Sequence, residues 1–345
     1  MTPVELSRTV LRAVRRAVDD GELSVPVPAS VGVGPPGAGG CGDYATNVAL
    51  RLAGPAGLPA LEVAEILRPR IGEAPGVADV TVTGPGFLNI TLGGGAAAAL
   101  VDEVLTRGPR YGHGDALAGR VVELRVPYDT RAEVVADTLV RIVATQGGRA
   151  EVRHAEPVNL RPVPAPEDPA PLGSDASRWA LLYPASHDRP RISADHLLQR
   201  ESNPLFRVRY AHARTHALRR NAADLGYGGL PGNDVTLAGE APGDGRPSDA
   251  GTPHPEARPE SALLAALAEY PLALRLAATH QAPDRLARHL VGVADALLLF
   301  QHLVLPLGDE KPLAAHRARL ALAEAAGAVL AGGLSLLGIS APEHL

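Results

Sequence analysis

The chain has 345 residues, with 33 Lys or Arg against 38 Asp or Glu, a net charge of −5. That length allows two or three domains, and the acidic balance excludes a globally basic, histone-like nucleic-acid binder while leaving room for a local basic face. Cys41 is the only cysteine, which excludes an intramolecular disulfide and a cysteine metal cluster.

Aromatic residues make up 3% of the chain, so the core must be built from Ala, Val and Leu. Lys311 is the only lysine. The abundance of Arg, Ala, Gly and Pro has the look of a GC-rich coding preference. No run of about 18 apolar residues is evident, and the N-terminus mixes charge into a helical pattern without a signal-peptide core. The expectation is a soluble, cytoplasmic protein that does not span a membrane.

Residues 5–20 predict an amphipathic helix, with Leu6, Val10, Val14 and Val18 on one side and Arg8, Arg12, Arg15 and Arg16 elsewhere. The run Gly32–Gly42 reads as a surface loop, with a phosphate cradle as the alternative. No Gly-Lys-Ser/Thr follows it, which excludes a P-loop. Helices are predicted from Val48 and over Pro59–Leu67. Two strands, Val77–Val82 and Phe87–Leu92, flank the turn Gly84-Pro85-Gly86. This mixture predicts an α+β domain over residues 1–112.

Tyr111-Gly112-His113-Gly114-Asp115 reads as a turn: it has one histidine and precedes a strand, the wrong context for a class I synthetase ATP signature. A strand at Val121–Val126, a helix at Arg131–Thr145, a Pro-rich loop at 155–174 and a short helix at Asp175–Leu182 follow. Pro204–Leu225 predicts one helix. Gly226–Glu260 reads as a flexible loop. From Ser261 onward four or five packed helices are expected, with Pro271 opening a new turn. The twelve histidines show no metal spacing, and no nucleophile turn can be identified. No metal site, cofactor or catalytic residue is therefore assigned.

Between Arg200 and Arg220 stand six Arg and a single acid, Glu201. Two readings are open. The cluster contacts nucleic-acid phosphates, or it is a helix face whose charges meet acids elsewhere.

Several segments together resemble one family, the arginyl-tRNA synthetases. Gly42-Asp43-Tyr44-Ala45-Thr46-Asn47 and Gly84-Pro85-Gly86-Phe87-Leu88-Asn89-Ile90 resemble its additional N-terminal domain, which meets the tRNA D-loop. The resemblance implies that Phe87 stacks on, and Asn89 hydrogen-bonds, a flipped-out base, with a core role for Phe87 as the alternative. Asn203-Pro204-Leu205-Phe206 through Tyr210-Ala211-His212-Ala213-Arg214 and Val329 to Glu343 resemble the all-helical DALR anticodon-binding domain. The implied tRNA-binding residues there are Arg207, Arg209, Tyr210, His212, Arg214, His216, Arg219, Arg220 and Leu345. Arg207 and Arg209 replace an aromatic and an amide of the family segment, and Leu345 replaces its final methionine.

The resemblance implies three parts: residues 1–112 as the N-terminal domain, 113–200 as a small α/β remnant of a class I catalytic domain, and 201–345 as an all-α anticodon-binding bundle containing loop 226–260. A complete nucleotide-binding domain does not fit in 113–200, because one βαβ unit alone takes about 30 residues. Where the ATP histidines belong the chain reads Pro127-Tyr128-Asp129-Thr130-Arg131-Ala132-Glu133. The expectation is a noncatalytic, cofactor-free paralogue that binds tRNA, with tRNA-Arg as its partner. The alternatives are a module that docks on a protein partner, an arginine-tRNA ligase with an unrecognised ATP site, and a folded relic.

Overall fold

A computed structural model describes residues 1–37, 40–93, 95–232, 259–308 and 310–345. The chain divides into two compact units, Met1–Leu100 with Gly232–Leu264, and Val101–Pro231 with Ala265–Leu345.

The first unit opens with helix α1 (Pro3–Asp19). Thr2 and Glu5 close a capping box: the Glu5 amide donates to Thr2 Oγ1 at 3.3 Å and the Thr2 amide to Glu5 Oε2 at 2.7 Å. The apolar face of α1, with Leu6, Val10 and Val14, is buried as the periodicity predicts. Strand β1 (Tyr44–Thr46), helices α2 (Val48–Ala56) and α3 (Ala60–Gly72), and strands β2 (Val77–Thr83) and β3 (Phe87–Leu92) follow. The antiparallel sheet has the order β1-β3-β2, with Thr46 opposite Leu88 and Thr83 opposite Phe87. Alternation on the central strand sends Leu88, Ile90 and Leu92 into the core.

Helix α4 (Ala96–Arg107) contains the boundary between the units. In the second unit β4 (Val121–Arg125), α5 (Thr130–Thr145) and β5 (Arg149–Arg153) form one βαβ unit. Its two strands pair in parallel, Val121 opposite Arg149. The Asp129 carboxylate caps α5 by accepting the Ala132 amide at 3.0 Å. Helices α6 (Ser174–Leu182), α7 (Pro204–Asp224), α8 (Pro259–Thr279), α9 (Pro283–Phe300) and α10 (Ala314–Leu337) complete the chain. Helices α7, α9 and α10 pack on one another. Gly327 lets α10 approach α7: a Cβ there would fall 2.5 Å from Thr215 Oγ1.

The structure corrects several expectations. Helix α8 runs unbroken through Pro271, so among the described residues the region after Ser261 holds three α-helices rather than four or five. Strands β1 and β5 and helix α4 were not anticipated. Of the loop expected over 226–260, residues 233–258 lie outside the described residues. Its beginning is anchored: buried Tyr227 donates its hydroxyl to the Val304 carbonyl at 3.3 Å, and the Leu230 amide donates to the Arg317 carbonyl at 3.0 Å. Two helices, α8 and α10, do have the length and apolarity of a membrane span, and most of α10 is buried within the protein.

Candidate nucleic-acid interface

In the first unit, Phe87 begins β3 and is 41% exposed, so it is not a core residue. Asn89 shares its face of the strand but is buried. Its Nδ2 donates to Thr83 Oγ1 at 2.7 Å, and Thr83 is the cross-strand partner of Phe87. Gly40 lies close to this amide: a Cβ there would fall 2.9 Å from Asn89 Oδ1.

In the second unit, helix α7 is built by Asn203, whose side chain accepts the Leu205 amide at 3.1 Å, and by Pro204 at its first position. The basic residues of α7 diverge to two neighbours. On one side Arg207 Nη1 lies 3.2 Å from Asp295 Oδ1 and Arg214 Nε donates to Gln301 Oε1 at 2.7 Å. On the other side the final residues of the chain lie against the helix. Arg209 Nη2 donates to Ser340 Oγ at 3.3 Å and lies 3.7 Å from Asp175 Oδ2. His212 is buried, with Nδ1 2.9 Å from the Pro342 carbonyl oxygen. His216 Nδ1 is 3.9 Å from Glu343 Oε2, and Arg220 Nη2 is 3.4 Å from His344 Nδ1. Burial lowers the pKa of His212; burial first, then proximity to His212, lowers that of His216.

The acids meeting Arg200, Arg207 and Arg209 are Asp195, Asp295 and Asp175. The basic cluster is therefore partly neutralised within the fold. The sequence reading missed these partners, since nothing local links Asp295 to Arg207. Tyr210, Arg219, Arg220 and Leu345 remain exposed. Tyr210 stacks on Phe206 with ring centroids 5.5 Å apart. Among the described residues no group of three His, Cys, Asp or Glu is placed to hold a metal.

The segment Tyr111–Gly114 is a structural corner. Tyr111 is buried and stacks on Tyr270 at 5.9 Å. Gly112 has φ +83°, and a Cβ there would meet the Tyr270 ring at 2.9 Å. In the first turn of α5, Arg131 is buried. Its guanidinium donates to five backbone carbonyls, those of Leu181, Val163, Asp188, Pro184 and Ala185, at 2.6–3.0 Å.

The first unit is a small α+β unit, and the second carries helices α7 to α10 beside the βαβ unit. Residues 208–345 match the DALR anticodon binding domain, and residues 5–92 match the arginyl tRNA synthetase N terminal domain. The chain is an arginyl-tRNA synthetase-related protein. It is 42% identical over 160 residues to an arginine–tRNA ligase of Renibacterium salmoninarum, a match covering 43% of this chain and 29% of the relative. A Frankia alni arginine–tRNA ligase is 40% identical over 157 residues, covering 43% and 28%. The matches thus span less than a third of the length of these relatives. Two solved structures share the fold. The Thermus thermophilus arginyl-tRNA synthetase has a TM-score of 0.62 at 14% identity over 100% of both chains. The Plasmodium falciparum arginyl-tRNA synthetase has 0.65 at 9% over 99% of both. These relatives are named as ligases, which are enzymes, and that overturns the expectation that the chain is a non-enzyme.

Proposed function

We propose that the chain binds tRNA, specifically tRNA-Arg, with residues 1–112 toward the D-loop and residues 201–345 toward the anticodon. The observation that carries the reading is the exposure of Phe87, Tyr210, Arg219 and Arg220 within segments that match the two tRNA-reading domains. Phe87 stacks on an unpaired base, since an exposed aromatic offers a π-face to any base. Asn89 positions it by holding Thr83. Arg219 and Arg220 contact phosphates, while Tyr210 and Leu345 contact bases. His212, His216 and Arg209 act by fixing the final residues of the chain against α7, and Arg207 and Arg214 by holding α7 to its neighbours. The binding takes place in the cytoplasm.

Filter binding tests this. The chain is expected to prefer tRNA to an unstructured RNA of equal length, with affinity falling steeply as salt rises. Equal affinity for both RNAs refutes the reading.

A second reading, docking on a synthetase or another enzyme, is favoured by exposed Leu299 and Leu307 (68% and 76%). Co-purification with a protein and without RNA supports it.

A further inference from the structure

We propose that α5 and α6 serve tRNA binding by seating the final residues of the chain: Asp137 and Arg141 of α5, with Asp175 and Arg178 of α6, are positioning residues that hold Leu345 beside α7. The proposal rests on the tRNA-binding reading, in which Leu345 contacts a base. Helix α10 closes with the Gly338 amide donating to the Ser335 carbonyl at 3.0 Å and the Ile339 amide to the Leu334 carbonyl at 2.9 Å. That leaves the Leu336 and Leu337 carbonyls without helical donors. Two arginines from other helices take them: Arg141 Nε donates to Leu336 and Arg178 Nε to Leu337, each at 2.8 Å. One carboxylate joins the pair, since Asp137 accepts from Arg141 Nη1 at 3.1 Å and from Arg178 Nη2. The fit is close: Gly338 has φ +72°, and a Cβ there would fall 2.6 Å from Arg178 Nε.

The chain then turns toward α6 and α7. The Ser340 amide donates to Asp175 Oδ1 at 3.2 Å and its hydroxyl to Asp175 Oδ2, while Arg209 Nη2 of α7 donates to the same hydroxyl at 3.3 Å. A hydroxyl both gives a proton and accepts one, and Ser340 uses both capacities to link α6 to α7. Leu336, Leu337 and Ser340 are thus tied to α5 and α6 before the last residues reach α7. There Leu345 lines a cleft with Asp175, Phe206 and Arg209. The Asp137–Arg141 pair, with side chains 51% and 32% exposed, adds little to stability. Its effect is on binding: a segment already fixed loses less conformational freedom when Leu345 meets a base.

The test compares the unaltered chain with Arg178→Ala, Asp175→Ala and Asp175→Asn. Thermal melts establish that the variants fold. Hydrogen exchange over residues 339–345 reads the seat without RNA, and filter binding of a tRNA-Arg transcript over a salt series reads its use. Both alanine variants are expected to exchange the Ile339 and Ser340 amides about tenfold faster. They are expected to bind about tenfold more weakly, with the parent slope of log K against log salt, because no phosphate contact is lost. Asp175→Asn keeps an acceptor for the Ser340 amide and a donor for its hydroxyl, and recovers most of both. In a Leu345→Ala background the alanine substitutions are expected to weaken binding by about twofold or less, since they act through Leu345. Additive losses in that background overturn the seat and leave the reading of Phe87 and α7 standing. Unchanged exchange overturns it too, as does unchanged affinity in a variant whose residues 339–345 exchange faster. Failure of the unaltered chain to bind tRNA overturns the tRNA reading itself, and this proposal with it.

Discussion

The Tyr111 hydroxyl donates to the carbonyl of Leu267 at 3.0 Å, both within the second unit. Leu267 is four residues before Pro271, so its carbonyl is the one that proline deprives of a helical donor. Beside it, the Ala266 carbonyl lies 3.0 Å from Nε2 of buried His289. A side chain from outside α8 thus supplies the missing bond, and the helix continues where the sequence suggested a break.

Tyr111→Phe removes that donor and leaves a buried carbonyl unpaired. The expected cost is about 1–3 kcal/mol. In a Pro271→Ala background the helix supplies its own N–H, so the same change is expected to cost measurably less. A double-mutant cycle in urea reads the coupling, and additive costs refute this account of Pro271.

Burial lowers the pKa of His289 to about 4, against 6.5 for an ordinary histidine. Between those values the unfolded chain binds a proton that the folded chain does not. Stability is therefore fully present above about pH 6.5 and is lost as pH falls toward 4, by roughly 3 kcal/mol for this group. His212 and His216, also lowered by burial, add in the same direction. Melts at pH 7 and pH 5 are expected to differ, and less so in His289→Gln.

Arg131→Met strands five carbonyls that the guanidinium now satisfies. The expected loss is about 3–5 kcal/mol. Arg131→Lys, with at most three N–H donors, is expected to fall between. The only tryptophan, buried Trp179 on α6, stacks on Tyr183 at 5.2 Å and lies two residues from the Leu181 carbonyl that Arg131 holds. Its fluorescence reports the local unfolding.

Phe87→Ala removes an exposed ring. It is expected to weaken tRNA binding by about 1–3 kcal/mol, the range for one base stacked on an aromatic, without moving the melting temperature. Asn89→Ala is expected to lower both, because its buried amide holds Thr83. Equal effects of Phe87→Ala on tRNA and on stability refute a binding role.

Periodic segments were legible in the sequence. The apolar repeat of Leu6, Val10 and Val14 gave α1, and the Gly84-Pro85-Gly86 turn placed β2 and β3. Strand β5, Arg149–Arg153, was hidden because its charged residues mask any alternation, and β1 is only three residues long. Pro271 misled because its compensation comes from Tyr111, 160 positions earlier. The site was legible as residue types: the Arg and His of α7 were visible, but not that Asp295 and Asp175 meet two of them, nor that the final residues lie along the helix.

The central claim is that this chain recognises tRNA. The most direct measurement is to sequence the RNA that co-purifies with it from its own cells. The account predicts a pool dominated by tRNA, with tRNA-Arg most enriched. Recovery of the protein without RNA, or with RNA in which tRNA is no more abundant than in the cell, would contradict it.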